Sequence, residues 1–383
     1  MKIMYVIDAV TGGAPISTSV IANEMAQEKN EVVIVMPKNS MSYELDFKIK
    51  KIEIAGFNEF PFEFIHPLKA ILLAKKIKKI IQNEKPDIIH AQMPRGAHAI
   101  GLLKILNMIP KNISLIYTDR GDISQYKKGR KVLYAYFDIF LIGWRYHDII
   151  CLSKKNADYW QSKVRKANVR VISNAAGKDY ELYDQMMHKI VHQKLGIKDN
   201  KLIVMFAGRM IGWKNWGLAK NIIDMLSNGE YHFIFAIGAT TEEQKKETND
   251  FKSSIEQLGV DFTYKINVSK TEMNELYYAA DVFVLTSKNE PFGRTAIEAM
   301  SRKCVVLGTN VGGLPEVISK NENIFASDAI QFVNRIKYYK NNQNELTADK
   351  EWFYKRYLEN YTVEIYKKKH EFIYTHTYTD KYN

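Results

Sequence analysis

The chain has 383 residues, of which 46% are hydrophobic and 26% are charged, and its formal net charge is +12. This length predicts two domains of about 150–200 residues each, because one hydrophobic core rarely serves so long a chain. The composition is typical of a globular, soluble protein, and the excess of positive charge predicts an anionic partner or surface.

The cysteines and the apolar segments exclude several classes of protein. Cys151 and Cys304 both lie in apolar, strand-like runs, which argues against a disulfide framework or a cysteine-based zinc site and favours a reducing cytoplasm. The first ten residues lack the apolar core and cleavage site of a signal peptide. The apolar stretch 132–144 is too short to span a bilayer and is interrupted by Asp138.

Basic residues cluster in the first half of the chain. They are Lys69, Lys75, Lys76, Lys78, Lys79, Lys127, Lys128, Arg130, Lys131, Lys163, Arg165 and Lys166. No recognisable nucleic-acid-binding module accompanies them, so we expect no nucleic acid partner. An anionic membrane surface is one interpretation, at about 1 kcal/mol per basic residue near the surface. A solvated charged face is the other.

The first half alternates strand and helix patterns. Strands are predicted at residues 2–7, 31–36, 48–54, 87–92, 113–118, 148–152 and 169–173. The pair Gly12-Gly13 follows the first strand and allows the close backbone approach that a diphosphate needs. No G-x-G-x-x-G pattern occurs, which argues against a dehydrogenase. The predicted helix 67–84 has an apolar stripe typical of core packing and a lysine-rich side that fits a membrane surface.

Three polar residues lie near the ends of predicted strands, where ligands of parallel sheets bind. His90 belongs to the strand 87–92 and either contacts a ligand or is a packed structural histidine. Asp119 and Arg120 follow the strand 113–118. Arg120 offers a guanidinium to a ligand, unless it forms a structural ion pair with Asp119.

The second half follows a polar, lysine-rich segment, 179–200, in which we place the hinge. Strands are predicted at residues 202–207, 232–237, 260–266 and 282–285, and again from 305. Arg209 and Lys214 lie in the loop after the first of these strands. Two fixed cations can stabilise the charge of a departing diphosphate; the alternative is a surface loop with two unrelated bases.

The stretch 281–316 contains two carboxylates on either side of a loop-to-helix turn. Glu290 lies in the loop, and Glu298 lies one turn into a helix predicted to begin at Thr295. Backbone N–H groups at Phe292 and Gly293 can hold a phosphate oxygen at this helix start. Glu298 either accepts two ribose hydroxyls or forms a capping box with Thr295.

These motifs resemble a known family. Glu290-Pro-Phe-Gly, then Glu298-Ala-Met and Gly312-Gly-Leu-Pro-Glu316, are similar to the donor-site signature of retaining GT-B glycosyltransferases of the glycogen-synthase-like family 4 group, which includes bacterial surface-polysaccharide enzymes. The resemblance covers nearly the whole chain. It implies an α/β fold with two Rossmann-like, doubly wound domains facing a central cleft and a C-terminal helix that crosses back.

The resemblance also implies domain boundaries and site residues. Residues 1–178 would form the acceptor domain, 179–200 a linker, 201–348 the nucleotide-sugar donor domain, and 349–383 a helical tail packed on the first domain. The implied catalytic residues are Glu290, Arg209 and Lys214. The implied donor-binding residues are Gly12, Gly13, Phe292, Gly293, Arg294, Thr295 and Glu298. The implied acceptor-side or sugar-side residues are His90, Asp119 and Arg120.

One position departs from the family pattern. The strand that precedes Asp119 commonly ends with a histidine near the reacting centre in this family, and Arg120 takes that place here. We therefore expect a guanidinium to bind the sugar or an anionic acceptor instead.

The implied reaction is transfer of a hexosyl group with retention of configuration, from a UDP-sugar or a GDP-sugar to a glycan or lipid-linked acceptor. No D-x-D motif is present, and the cations described above can hold the diphosphate, so we expect no cofactor and no metal. We expect a cytoplasmic protein, and the inner face of the membrane is the surface that it would bind. A GT-B-like sugar-nucleotide epimerase or hydrolase, and a catalytically silent glycan-binding protein, are the alternatives.

Overall fold

The computed structural model describes residues 1–9, 12–38, 44–57, 67–121, 130–164, 166–198 and 200–379. Within the basic clusters, Lys127, Lys128 and Arg165 lie outside the described residues, as does Thr11 beside the first glycine pair. The chain divides into two compact units. The first unit is Met1–Ala175 with Val363–Asn383, and the second is Ala176–Thr362.

The first unit contains a seven-stranded parallel sheet in the order β3-β2-β1-β4-β5-β6-β7. Its strands are β1 (Lys2–Val6), β2 (Glu31–Pro37), β3 (Lys50–Ile54), β4 (Ile88–Ala91), β5 (Ser114–Asp119), β6 (Asp148–Cys151) and β7 (Asn168–Val171). Its helices are α1 (Gly13–Gln27), α2 (Pro67–Glu84), α3 (Pro94–Ile105), α4 (Arg130–Asp138), α5 (Lys154–Gln161) and α14 (Val363–Thr379), with a π-helical turn at Ile139–Gly143. Helices cover both faces of the sheet, so its central strands are buried along nearly their whole length and are mainly apolar.

The second unit contains a six-stranded parallel sheet in the order β10-β9-β8-β11-β12-β13. Its strands are β8 (Leu202–Arg209), β9 (Tyr231–Gly238), β10 (Asp261–Ile266), β11 (Val282–Leu285), β12 (Val305–Thr309) and β13 (Ile324–Phe325). Its helices are α6 (Gln185–Leu195), α7 (Trp216–Asp224), α8 (Glu242–Glu256), α9 (Lys270–Ala279), α10 (Arg294–Met300), α11 (Leu314–Ile318), α12 (Ala329–Asn341) and α13 (Gln343–Asn360).

Each sheet has one point where the strand order reverses. The reversal lies between β1 and β4 in the first unit and between β8 and β11 in the second. Loops that leave neighbouring strands at such a point run to opposite faces of the sheet, which opens a crevice at the carboxyl edge for ligands. The predicted α/β class with two Rossmann-like sheets is confirmed.

The last helix belongs to the first unit although it follows the second in sequence. The buried hydroxyl of Tyr374 in α14 contacts the hydroxyl of Tyr5 in β1 at 2.9 Å and Nδ1 of His90 in β4 at 2.8 Å. The helix therefore packs directly on the central strands of the first sheet.

The unit boundaries differ from the sequence expectation in two places. Residues 349–360, expected in the tail, lie in α13, whose Tyr357 hydroxyl donates to the carbonyl of Tyr180 within the second unit. Helix α6 fills half of the expected linker, and its His192 contacts the carbonyl of Ala279 in the second unit. Both segments are amphipathic helices, and periodicity alone does not show which core such a helix covers.

None of the helices in the described ranges is both long and apolar enough to cross a membrane.

Candidate active site

An ion pair links two loops at the reversal point of the second sheet. Nζ of Lys214, after β8, donates to Oε2 of Glu290, after β11, at 2.5 Å. Both side chains are 15% exposed, so water screens this pair less than a surface pair. The Ser287 hydroxyl donates to the same Oε2 at 3.3 Å, and no described residue contacts Oε1. Two of the three predicted catalytic residues are therefore in direct contact.

Backbone contacts fix these two loops against each other. The Thr286 hydroxyl donates to the carbonyl of Lys214 at 2.9 Å, and the backbone N–H of Lys288 donates to the carbonyl of Trp213 at 2.7 Å. A Cβ atom at Gly208 would lie 3.1–3.3 Å from three side-chain carbons of Lys214. The glycine thus leaves room for the lysine stem to run along the end of β8.

The third predicted catalytic residue, Arg209, is the last residue of β8 and is exposed. Its guanidinium lies 5.8 Å from the ring centroid of Trp213. Among the described residues no carboxylate pairs with it. Arg209 therefore presents an uncompensated cation at the edge of the sheet that also carries Lys214.

A double glycine supports the loop that carries Glu290. The backbone N–H of Gly313 donates to the carbonyl of Glu290 at 2.9 Å. A Cβ atom at Gly312 would lie 2.0 Å from that same carbonyl oxygen, and one at Gly313 would lie 2.6 Å from the carbonyl oxygen of Pro291. These glycines are needed because one backbone lies directly on another.

Helix α10 begins immediately after this loop. Gly293 caps it with φ 100° and ψ 57°, and a Cβ atom there would lie 2.6 Å from a methyl carbon of Leu314. Phe292 is buried and packs edge-on against Tyr361, with ring centroids 6.1 Å apart. Thr295 is half-buried in the first turn. The structure thus places these residues at the helix start, as predicted.

Glu298 is buried in α10 and contacts side chains rather than the helix N-terminus. Its Oε1 accepts from Arg294 at 2.9 Å, and its Oε2 accepts from the Tyr277 hydroxyl at 3.2 Å. The capping-box alternative is wrong, because Gly293 is the N-cap and has no side chain. Burial raises the pKa of the Glu298 carboxyl, and the nearby Arg294 guanidinium partly opposes that shift. Arg294 also donates to the carbonyl of Ala176 at 2.9 Å.

The glycine pair of the first unit lies at the start of α1. Gly12 has φ 99° and Gly13 is the first helical residue. Apart from its chain neighbours, no atom of the described residues lies within 4 Å of a Cβ atom built at Gly12, so the positive φ is the observed reason for glycine there.

His90 is a packed histidine and does not face a ligand. It is fully buried, and its Nε2 contacts the Thr118 hydroxyl at 2.7 Å while its Nδ1 contacts Tyr374. Burial, followed by the nearby His370 and Arg120, holds its pKa well below the usual value. The acceptor-side interpretation of His90 is therefore replaced by the structural one, because both ring nitrogens are occupied.

Asp119 and Arg120 do not form the ion pair that we considered. Asp119 accepts from the Trp160 indole at 2.9 Å and from the Gly121 backbone at 3.0 Å. The Arg120 guanidinium instead donates to the side-chain oxygens of Gln92 and Asn174. Successive side chains of a strand point to opposite faces, which separates the two charges. Asp119 is thus a structural acceptor, and Arg120 remains a candidate site residue.

Four residues that contact the candidate residues Arg120, Glu290 and Glu298 were not predicted from the sequence. They are Gln92, Asn174, Tyr277 and Ser287. Gln92 is the last residue of a predicted strand and Ser287 lies two residues beyond another, so their position at a carboxyl edge was a usable signal. Tyr277 lies in a helix pattern and Asn174 in a loop, and no local feature marks either.

The described residues contain no group of three or more His, Cys, Asp or Glu side chains placed to hold a metal ion. Catalysis without a metal remains a prediction.

Two family profiles together cover most of the chain. Residues 11–176 match the family described as Glycosyltransferase Family 4, and residues 188–352 match Glycosyl transferases group 1. The chain belongs to the GT4-like glycosyltransferases of GT-B fold.

Curated glycosyltransferases are similar to this chain at low identity. The capsular polysaccharide biosynthesis glycosyltransferase CapM of Staphylococcus aureus is 24% identical over 79% of this chain and 73% of its own length. Sulfoquinovosyl transferase SQD2 of Arabidopsis thaliana is 23% identical over 70% of this chain, and mannosylfructose-phosphate synthase of Agrobacterium fabrum is 29% identical over 37% of it. The chain spans 52% and 32% of these last two proteins, respectively.

Solved structures share the GT-B fold of this glycosyltransferase over nearly its whole length. Anabaena HepE, solved in complex with UDP-glucose, has a TM-score of 0.74 and 18% identity, and the match covers 98% of this chain and 100% of HepE. A glycosyltransferase from Rickettsia africae has a TM-score of 0.78 and 21% identity, with 98% of both chains covered.

The glycine contact gives the first testable prediction. Gly312→Ala places a methyl group against the carbonyl of Glu290, so the loop must shift and the carboxylate with it. We expect kcat to fall by about 10²-fold, as for comparable misplacements of catalytic groups. The measurement is steady-state turnover of a nucleotide-sugar donor.

Gly259→Ala is the matched control for this variant. Gly259 has a similar φ of +64°, compared with +55° at Gly312, but no atom lies within 4 Å of its built Cβ. Backbone strain is therefore common to both variants, and only Gly312→Ala adds the clash. Equal loss of turnover in the two variants would contradict the role of the glycine in holding Glu290.

Proposed function

We propose that this protein is a retaining hexosyltransferase. It moves a hexosyl group from a nucleoside diphosphate sugar, with UDP favoured over GDP, to a glycan or lipid-linked acceptor in bacterial cell-surface polysaccharide synthesis, without a metal ion. The observation that carries the proposal is the group at the β8–β11 edge, where an unpaired Arg209 cation lies on the same sheet edge as the Lys214–Glu290 pair. UDP-glucose in HepE and the capsular role in the name of CapM support the choice of substrate class.

The two cations would act on the leaving group. Breaking the bond between the anomeric carbon and the diphosphate oxygen leaves negative charge on that diphosphate. Arg209 would contact it through a fork of N–H groups and Lys214 as a point charge. Fixed cations in a partly dry site stabilise such developing charge more than water does.

Glu290 would act on the sugar. A bound diphosphate competes for the Lys214 ammonium, which frees Oε2 of Glu290, while Oε1 already has no partner among the described residues. The carboxylate could then accept a sugar hydroxyl and favour positive charge at the ring. The acceptor oxygen forms its bond to the anomeric carbon, and the departing diphosphate oxygen takes the acceptor proton.

The ribose of the donor would be bound by Glu298. Its two oxygens are held by Arg294 and Tyr277, so the carboxylate is fixed before a nucleotide binds. A carboxylate with fixed geometry can accept two hydroxyls of a ribose at little entropic cost.

A membrane surface would carry the lipid-linked acceptor. Four large apolar side chains recur at helical spacing and are 41–67% exposed: Leu133 and Tyr136 on α4, Phe140 on the π-helical turn after it, and Trp144 at the end of that turn. Aromatic and aliphatic side chains on one helical face are typical of interfacial helices. Helix α2, whose Lys75, Lys76 and Lys79 are exposed, packs on the same face of the first sheet. Basic and apolar groups together fit an anionic bilayer.

The donor prediction is tested by a thermal-shift panel in excess EDTA. UDP and UDP-sugars are expected to raise the unfolding temperature more than GDP-, ADP- or dTDP-sugars, since a ligand at about 100 times its Kd stabilises by roughly 2.7 kcal/mol. Glu298→Gln should reduce the shift for UDP. A larger shift with another nucleotide would overturn the UDP assignment. Transfer that is abolished by EDTA and restored by Mg²⁺ or Mn²⁺ would overturn metal independence.

The role of Glu290 is tested by Glu290→Gln. The amide keeps the shape but loses the charge, so we expect kcat to fall by about 10² or more, comparable with the loss of one positioned polar contact. Glu359→Gln, at an exposed site on α13, is the control. Near-normal turnover of Glu290→Gln would remove Glu290 from the mechanism. Product analysis without acceptor would identify an epimerase or hydrolase instead.

Membrane binding is tested by liposome flotation. The protein is expected to float with vesicles that contain anionic lipid at low salt, and less so at high salt, because salt screens surface charge. Leu133→Ser combined with Trp144→Ser should lower the bound fraction several-fold, since apolar burial adds to binding. Leu182→Ser, which changes an 86% exposed leucine of the second unit, is the control. Binding that ignores lipid charge and salt would contradict the proposal.

A further inference from the structure

Arg120 lies at the carboxyl edge of the first sheet among the ends of three strands. Gln92 follows β4, Arg120 follows β5, and Asn174 lies after β7. The Arg120 Nε and Nη2 atoms donate to Oε1 of Gln92 at 3.0 and 2.5 Å, and Nη1 donates to Oδ1 of Asn174 at 3.0 Å. Both amide side chains are buried, so the guanidinium is held in a fixed orientation.

The charge of Arg120 is not compensated by these contacts. Amide oxygens satisfy N–H groups but carry no net negative charge, and no carboxylate pairs with Arg120 among the described residues. The titratable groups near it on α14 and β4 are His370, Tyr374 and His90, all fully buried. Burial, and to a smaller degree Arg120, lowers the pKa of His370 to about 3, so it is neutral at pH 7.

Donors remain on this cluster after its internal contacts are made. A guanidinium has five N–H groups, and the three contacts above leave one on each terminal nitrogen. Gln92 adds another, since its Nε2 is buried without a partner. The orientation of that amide is fixed because arginine has no acceptor, which forces Oε1 toward the guanidinium. Among the described residues, a buried donor without a partner thus lies beside a cation without a carboxylate partner. An anion could satisfy both groups.

We infer that Arg120, with Gln92 and Asn174, binds an oxyanion on the acceptor, either a carboxylate or a phosphate. The inference rests on the proposed function for the existence of an acceptor, and it specifies that this acceptor is anionic. A planar guanidinium held on two sides matches either group through two parallel hydrogen bonds. Arg120 is thus a specificity-determining residue at the place where the family commonly has a histidine.

Three sugar probes test the inference on the full-length protein. They are glucose 1-phosphate, glucuronic acid and neutral methyl glucoside, with dissociation constants measured by ligand-observed NMR. We expect at least one anionic probe to bind about tenfold or more tightly than methyl glucoside, the usual scale of a charge-assisted contact. Preference for the phosphate or for the carboxylate identifies which oxyanion the acceptor carries.

Three variants locate the preference at Arg120. Arg120→Gln removes the cation and should abolish the preference. Gln92→Glu leaves Arg120 in place but pairs it with a carboxylate of nearly the same shape, and it should abolish the preference as well. If Arg120→Gln does not fold, the binding preference of Gln92→Glu tests the inference. Arg170→Gln, which changes a guanidinium on β7 that pairs with Asp148, should retain the preference.

The inference is overturned if the unchanged protein binds all three probes equally. It is also overturned if Arg120→Gln or Gln92→Glu keeps the preference, or if Arg170→Gln loses it. UDP binding to each variant is measured in parallel. If neither the unchanged protein nor any variant binds UDP, the proposed donor is refuted. The comparison of the three sugar probes still tests the role of Arg120 in that case.

Discussion

The contact between Lys214 and Glu290 holds two loops of the second unit together. It joins the loop after β8 to the loop after β11, which leave the sheet at its reversal point. A half-buried ion pair is costly unless further hydrogen bonds support it. The supporting bonds from Thr286, Ser287 and Lys288 supply that condition, so one cation and one carboxylate are held in register before any ligand arrives.

The shape of the Glu290 loop follows from steric limits in the residues beneath it. Gly312 and Gly313 lie so close to the backbone of Glu290 and Pro291 that any Cβ atom would collide. Gly293 then turns the chain into α10 at a positive φ, beside Leu314. Close backbone packing, together with the Lys214 contact, thus positions the carboxylate.

Local pattern was sufficient for the fold class, and it placed three candidate site residues near the ends of strands. Buried parallel strands appear as continuous apolar runs; Arg209 ends one such strand, and Lys214 and Glu290 lie in the loops that follow two of them. Contacts between residues far apart in the sequence could not be predicted from local pattern. His90 contacts Tyr374, which lies 284 residues away in the sequence, and no residue near His90 predicts this contact. For Glu298, the sequence suggested a capping box with Thr295, whereas the structure has Gly293 at the helix cap and pairs Glu298 with Arg294.

Arg120 and Glu298 show two ways in which this chain treats a buried charge. Glu298 is paired at once with Arg294, which reduces the penalty of burial and leaves little net charge. Arg120 is surrounded by neutral amides, and a carboxylate at position 92 would fit the same volume and compensate it. A fold selected for stability alone would favour that carboxylate, because an uncompensated half-buried cation costs free energy. Sites that retain such a cost are typically those whose missing partner is a ligand, since the ligand then gains the whole interaction on binding.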